Sequence, residues 1–149
     1  MADDERKVSV NRVIAAPPEV IFAVLDNPAK HPLIDGSGTV KASRAGDGDR
    51  HLTLGDRFGM DMKIVVPYRM QNTVVEYEKD RLIAWQHFGK HRWRYELEPV
   101  EGGTRVTETF DWSTALSAKF IELMKYPSKH VPAMERTLER LDELVTGGA

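Results

Sequence analysis

The sequence predicts an α+β domain in which a curved antiparallel sheet of about seven strands wraps around a long C-terminal helix, with two short helices after the first strand. Three observations predict it. Residues 39–112 read almost wholly as alternating β segments separated by polar and glycine turns. Residues 116–145 carry apolar side chains at helical spacing instead. Prolines bracket two helical turns between the first strand and everything after it. A strongly bent sheet of this size can curl round one helix, its inner face meeting the apolar stripe of that helix.

Residues 1–7 form a charged tail to a single domain spanning residues 1–149. Residues 7–15 (KVSVNRVIA) mix β-branched and polar side chains as a strand does. Pro17 and Pro18 stop that strand and suit the first turn of a helix, whose stripe is Val20, Ile21, Val24 and Leu25. Pro28 and Pro32 bracket a second helical turn, and Asp35-Gly-Ser-Gly38 breaks it. A short strand follows at 39–43. In 52–64, Leu52, Leu54, Phe58, Met60, Met62 and Ile64 share one face. Strands are expected over 68–77, 82–88, 92–98 and 104–112. The last is entered through Gly102-Gly103. Leu116, Phe120, Leu123 and Met124 then repeat as a helix does, until Tyr126-Pro127 interrupts. Ser128 is placed to cap a further helix, with Pro132 in its first turn and Val131, Met134, Leu138, Leu141 and Val145 as its stripe.

Composition excludes several classes of function. The 149 residues include no cysteine, so disulfides, thiolate metal sites and cysteine nucleophiles are out. A formal net charge of −2 argues against nucleic acid or an anionic membrane as the main partner. No apolar run nears the roughly 18 residues that cross a bilayer, and the N-terminus has no basic region followed by an apolar one. The expected setting is the cytoplasm, with no integral membrane association. The five histidines show no metal-ligand spacing, and phosphate loops, dinucleotide fingerprints and nucleophile elbows are absent. Neither a metal nor another cofactor is expected.

Turn chemistry assigns the inner face. Gly89-Lys90 suits a two-residue turn, which would set Gln86 opposite Trp93 and place Gln86, Trp93 and Tyr95 inside, leaving Trp85 outside against Arg94. A three-residue loop would reverse this and send Trp85 and His87 inward. An even-length turn through Glu101-Gly102 puts Val106, Glu108, Phe110 and Trp112 inside, with Glu108 across from Tyr95 or Trp93. Glu108 interrupts an otherwise apolar face. Desolvated, it could act as a general acid or base with Tyr95; equally, it could be hydrogen-bonded to Tyr95 or Gln86, or lie in water near the open end. Tyr77 and Val75 also look inward by register, which conflicts with the parity of Tyr68 and Met70 unless a bulge lies near Asn72-Thr73. The candidate lining is Phe58, Met60, Met62, Tyr77, Gln86, Trp93, Tyr95, Glu108, Phe110, Phe120, Met124 and Met134, the thioethers serving either a permissive pocket or a filled core. His31 and Asp35, one helical turn apart, stand either as an acid–base pair or as an exposed helix-ending pair.

Certain stretches resemble the helix-grip superfamily of START-related lipid-transfer domains, birch-pollen-allergen-like proteins and bacterial polyketide cyclase/dehydrase-like proteins. They are residues 12–22 (RVIAAPPEVIF), 34–38 (IDGSG), 75–78 (VEYE), 93–97 (WRYEL) and 103–106 (GTRV). The resemblance runs from about Val8 to Leu144 and is closest to the bacterial cyclase/dehydrase-like branch. It implies a cavity between sheet and helix that takes an apolar small molecule: a lipid, a polyketide or an aromatic metabolite. It carries over no catalytic residues, because the superfamily holds enzymes, carriers and adaptors. The expectation is a binding domain. The alternatives are a cyclase, dehydrase or aromatase that moves protons through Glu108 with Tyr95 or His31, and an adaptor that uses its outer surface.

Overall fold

In a computed structural model of the protein, residues 7–34, 40–43, 51–63, 67–86, 91–113 and 126–147 are described; the side chains of 40–43, 59–63, 67–71 and 126–129 lie outside that description. Seven strands make one sheet: β1 (Lys7–Ile14), β2 (Val40–Ser43), β3 (Arg57–Lys63), β4 (Pro67–Glu78), β5 (Leu82–Gln86), β6 (Arg92–Val100) and β7 (Gly103–Asp111). Their order is β1-β7-β6-β5-β4-β3-β2, antiparallel throughout, so β2 to β7 run as a meander and β1 adds on beyond β7. Helix α1 (Pro18–Leu25), a 3₁₀ turn (Pro28–Lys30) and α2 (His31–Ile34) join β1 to β2. Helix α3 (Tyr126–Thr146) lies along β1 and β7 and touches α1 and α2. The expected α+β architecture, with its curved seven-stranded sheet, is the one observed.

Local chemistry sets the boundaries. Pro17 caps α1 in an extended conformation and Pro18 starts it, where a missing N–H costs nothing. Ile21, Phe22 and Leu25 form its buried stripe. Asn27 Oδ1 accepts the Ala29 N–H at 3.0 Å to begin the 3₁₀ turn. Two elements differ from expectation. The strand anticipated over 52–64 begins only at Arg57, because Asp56 Oδ2 accepts from Thr53 N and Oγ1 at 2.9 and 3.2 Å and folds 53–56 into a turn. Leu54 is therefore 63% exposed, while Leu52 is fully buried with its N–H on the Asp26 carbonyl at 2.7 Å. Helix α3 begins at Tyr126 rather than after a Ser128 cap, and Pro132 lies inside it on the exposed side.

The sheet separates charge from ring. On its outer face Glu76 accepts two bonds from Arg94, at 2.9 and 2.7 Å, and one from Arg92 at 2.8 Å. Arg94 also reaches Asp111 at 3.2 Å. Ala84 stands between Glu76 and Arg94 in the ladder, and its lone methyl leaves room for the guanidinium to cross β5. The Arg94 hydrogen bonds hold the Glu76 carboxyl below its usual range. Inside, Ile14, Phe22, Leu25, Ile83, Leu97, Val106, Leu138 and Leu141 join the sheet, α1 and α3 in one apolar cluster.

Tight approach of β1 to the β6–β7 turn makes Gly103 irreplaceable. A Cβ there would lie 2.0 Å from the Ile14 carbonyl oxygen, whereas at Gly102, with φ +87°, it would meet open space. We expect Gly103→Ala to lower unfolding free energy in urea by about 3 kcal/mol or more. Gly102→Ala should cost only about 1–2 kcal/mol, the left-handed backbone penalty. Equal losses at the two sites would overturn this.

Candidate functional site

The inner face is laid out by pairing. Trp85 lies opposite Trp93, and Trp93 opposite Phe110; Ile83 lies opposite Tyr95, and Tyr95 opposite Glu108. Side chains alternate along each strand, so these two rows share one surface. The register of β4 on β5 shifts between Val74 and Glu76, which lets Val74 and Tyr77 both face inward, opposite Trp85 and Ile83. That bulge lies just beyond the expected Asn72-Thr73 position, so Tyr77 faces inward as expected but Val75 is the extra residue and Val74 takes the inward place. Phe58 pairs with Asn72 further along the same face, and both are buried.

These positions bring the rings into contact. Trp85 lies 5.4 Å from Phe58 edge-on and 5.6 Å from Tyr95. Trp93 lies 4.8 Å from Phe110, which stacks on Trp112 at 5.7 Å. Met134 of α3 closes over Phe110 and Trp112. Each ring pair adds about 0.5–1.5 kcal/mol beyond the burial itself.

A few polar groups enter this lining. Glu108 is 3% exposed, in mid-row between Val10 and Tyr95. His31 is buried, stacks on Trp85 at 4.9 Å, and donates from Nε2 to the Leu25 carbonyl at 2.7 Å. His91 and His130 flank Phe110 at 5.5 and 4.6 Å, and His130 meets the edge of Trp93 at 5.1 Å. Burial lowers the pKa of both imidazoles. His130 falls to about 4, with His91 adding to the effect, so both are neutral at pH 7. Near the α1–α2 corner, Asp26 Oδ1 lies 2.6 Å from His51 Nδ1. Burial raises the Asp26 pKa, and the His51 bond offsets part of that.

Of the residues expected to line the site, Phe58, Tyr95, Glu108, Phe110 and Met134 are buried, and Trp93 and Tyr77 are partly so. Glu108 stands across from Tyr95 as the turn at 101–102 required. Gln86 does not join them. It pairs with Arg92, on the face opposite Trp85 and Trp93, because the 82–98 hairpin takes the alternative register. Trp85 is therefore inside, and Ala84 rather than Trp85 faces Arg94. His31 is interior, not an exposed partner at a helix end; Asp35, Phe120, Met124 and His87 lie outside the described residues. Met60 and Met62 pair with Met70 and Tyr68, and their side chains lie outside the description. The spacing gave no hint of His91, His130 or Asn72, since none falls in a motif. No group of three or more metal-ligating side chains occurs among the described residues.

The profile of a family described as polyketide cyclase / dehydrase and lipid transport matches residues 5–146. The chain belongs to this family. An uncharacterized protein of Mycobacterium tuberculosis, Rv0088, is 34% identical over 148 residues, covering 95% of this chain and 65% of that relative, so the chain spans about two thirds of its length. Among solved structures, protein NE0264 of Nitrosomonas europaea superimposes with a TM-score of 0.74 at 17% identity, covering 97% of each chain. The AHSA1-like protein of Aeromonas hydrophila does so with a TM-score of 0.64 at 17% identity, over 96% of this chain and 95% of that one. These likenesses establish the helix-grip fold. No helix among the described residues is long and apolar enough to cross a membrane.

The two desolvated histidines give the site a pH signature. An unfolded histidine takes up its proton near 6.5, whereas His130 refuses one until about pH 4. The unfolded chain thus binds more protons over that window, and stability falls as pH drops from 6.5 toward 4. We expect the His130 imidazole signal to titrate near pH 4 by NMR and the decline in urea midpoint to shallow in His130→Phe. A His130 midpoint near 6.5 would contradict the burial described here.

Proposed function

We propose that the domain binds an apolar small molecule between the inner face of the sheet and the C-terminal helix. One observation carries this reading: Trp85, Trp93, Tyr95 and Phe110 form a surface of aromatic rings into which the carboxylic side chain of Glu108 is set. Ligand sites characteristically combine an apolar lining with a few placed polar groups. The family's description, which includes lipid transport, supports the same reading. Native mass spectrometry of the purified chain should show a co-purifying apolar species, or else its melting temperature should rise across a panel of lipids and aromatic metabolites. Neither a bound species nor any shift would overturn the proposal.

A second reading is favoured by a specific strand pairing. Glu108 and Tyr95 are directly opposed across β6 and β7 and both are buried, at 3% and 5% exposure. Such a pair suits proton transfer on a held polyketide-like chain, as in a cyclase or dehydrase, with Glu108 as general acid or base. Glu108→Gln should then reduce turnover of an aromatic or polyketide substrate at least about 100-fold while binding persists. Unchanged turnover would remove Glu108 from the chemistry.

A further inference from the structure

Asn72 of β4 sits on the inner face of the sheet, paired with Phe58 and two residues before Val74, which pairs with Trp85. Phe58 and Val74 are fully enclosed, and Phe58 meets the rings of His31 and Trp85 edge-on, each at 5.4 Å. Asn72 is itself 3% exposed, and among the described residues its Oδ1 has no hydrogen-bond partner. Withdrawing a carboxamide oxygen from water without replacing the lost bond opposes folding, and the great majority of buried side-chain oxygens are paired. Asn27 shows the usual arrangement: it too is buried, and its Oδ1 accepts the Ala29 N–H and starts the 3₁₀ turn. No cap or turn among the described residues uses the Asn72 oxygen. Leucine has a similar branched outline and would fill the position without leaving an oxygen unpaired. A residue that works against the stability of the free chain in this way marks a functional position.

We propose, as a deepening of the binding function above, that Asn72 recognises the polar group of the ligand. The molecule held against the inner face carries a neutral hydrogen-bond donor, a hydroxyl on an aromatic or polycyclic frame, and donates it to Asn72 Oδ1. The frame lies against the rings around Phe58 and Trp85. The terminal torsion of an asparagine is broad, so the carboxamide can turn to meet the donor. Oδ1 has already lost its water in the free chain, so only the ligand's hydroxyl is desolvated when the bond forms, and the gain in affinity is larger for it. A hydrocarbon or an ester, which has no donor, leaves the oxygen as it was and gains nothing from it. A site built to bond a hydroxyl discriminates against the analogue that lacks one.

Two probes of one outline test this on the full chain by calorimetric titration at pH 7. Naphthol carries a phenolic hydroxyl, uncharged at that pH, and methylnaphthalene carries a methyl group in its place. Asn72→Leu should shift the ratio of the two affinities toward methylnaphthalene by at least about fivefold relative to the wild type, the worth of one hydrogen bond. The same substitution should raise the melting temperature of the ligand-free chain by about 2 °C or more, because the unpaired oxygen is gone. An unchanged ratio would overturn the role of Asn72 and leave the binding function standing. Binding of neither probe by the wild type would count against the binding function and take this proposal with it. A lower melting temperature, or a variant that does not fold, would mean that the carboxamide is satisfied in the free chain, and would overturn the proposal without a ligand.

Discussion

Trp85 opposite Trp93 is the pairing on which the interior depends. A strand has only two faces, and the choice of partner across β5 and β6 decides which residues of both strands look inward. With this pairing, Ile83 and Trp85 join Trp93 and Tyr95 in one surface, and Ala84 and Arg94 fall on the other. A slip of one residue would drive Gln86 into the apolar lining and expose a tryptophan. It would also part Arg94 from the Glu76 carboxylate that it reaches over Ala84. The aromatic interior and the outer ion network are two results of a single register.

Much of this could be read from the chain, and the failures are informative. The depth of Glu108 followed from Glu101-Gly102, which admits a two-residue turn and so fixes the parity of β7 against β6. The β5–β6 register did not follow from its turn, since one glycine in 87–90 fits loops of either parity. A better signal lay within β5, where Ile83 and Trp85 are more apolar than Ala84 and Gln86, and in the small side chain beside Arg94. The burial of His31 was invisible for another reason: it depends on Trp85 and Phe58, distant in sequence, and on the Leu25 carbonyl that satisfies its ring nitrogen. Local spacing cannot report a contact that only the closed sheet creates.

The bulge in β4 shows how such a sheet reconciles competing demands. Val74 and Tyr77 must both face inward, although their spacing places them on opposite faces of a regular strand. One extra residue at Val75 resolves the conflict and adds a bend to the strand. Tyr77 can then reach Phe22 of α1, 5.8 Å away, which ties that bend to the helix packed beside it.

The protein has three tryptophans, Trp85, Trp93 and Trp112, and the fold places all of them in the aromatic interior. Its intrinsic emission is therefore an optical gauge of that interior alone, with no surface indole to dilute it. The gauge has two channels. Trp85 lies face to face with His31, and Trp93 meets the edge of His130, so a proton arriving on either imidazole would change the emission of a different indole. One unlabelled chain can thus report light from both ends of its ring cluster.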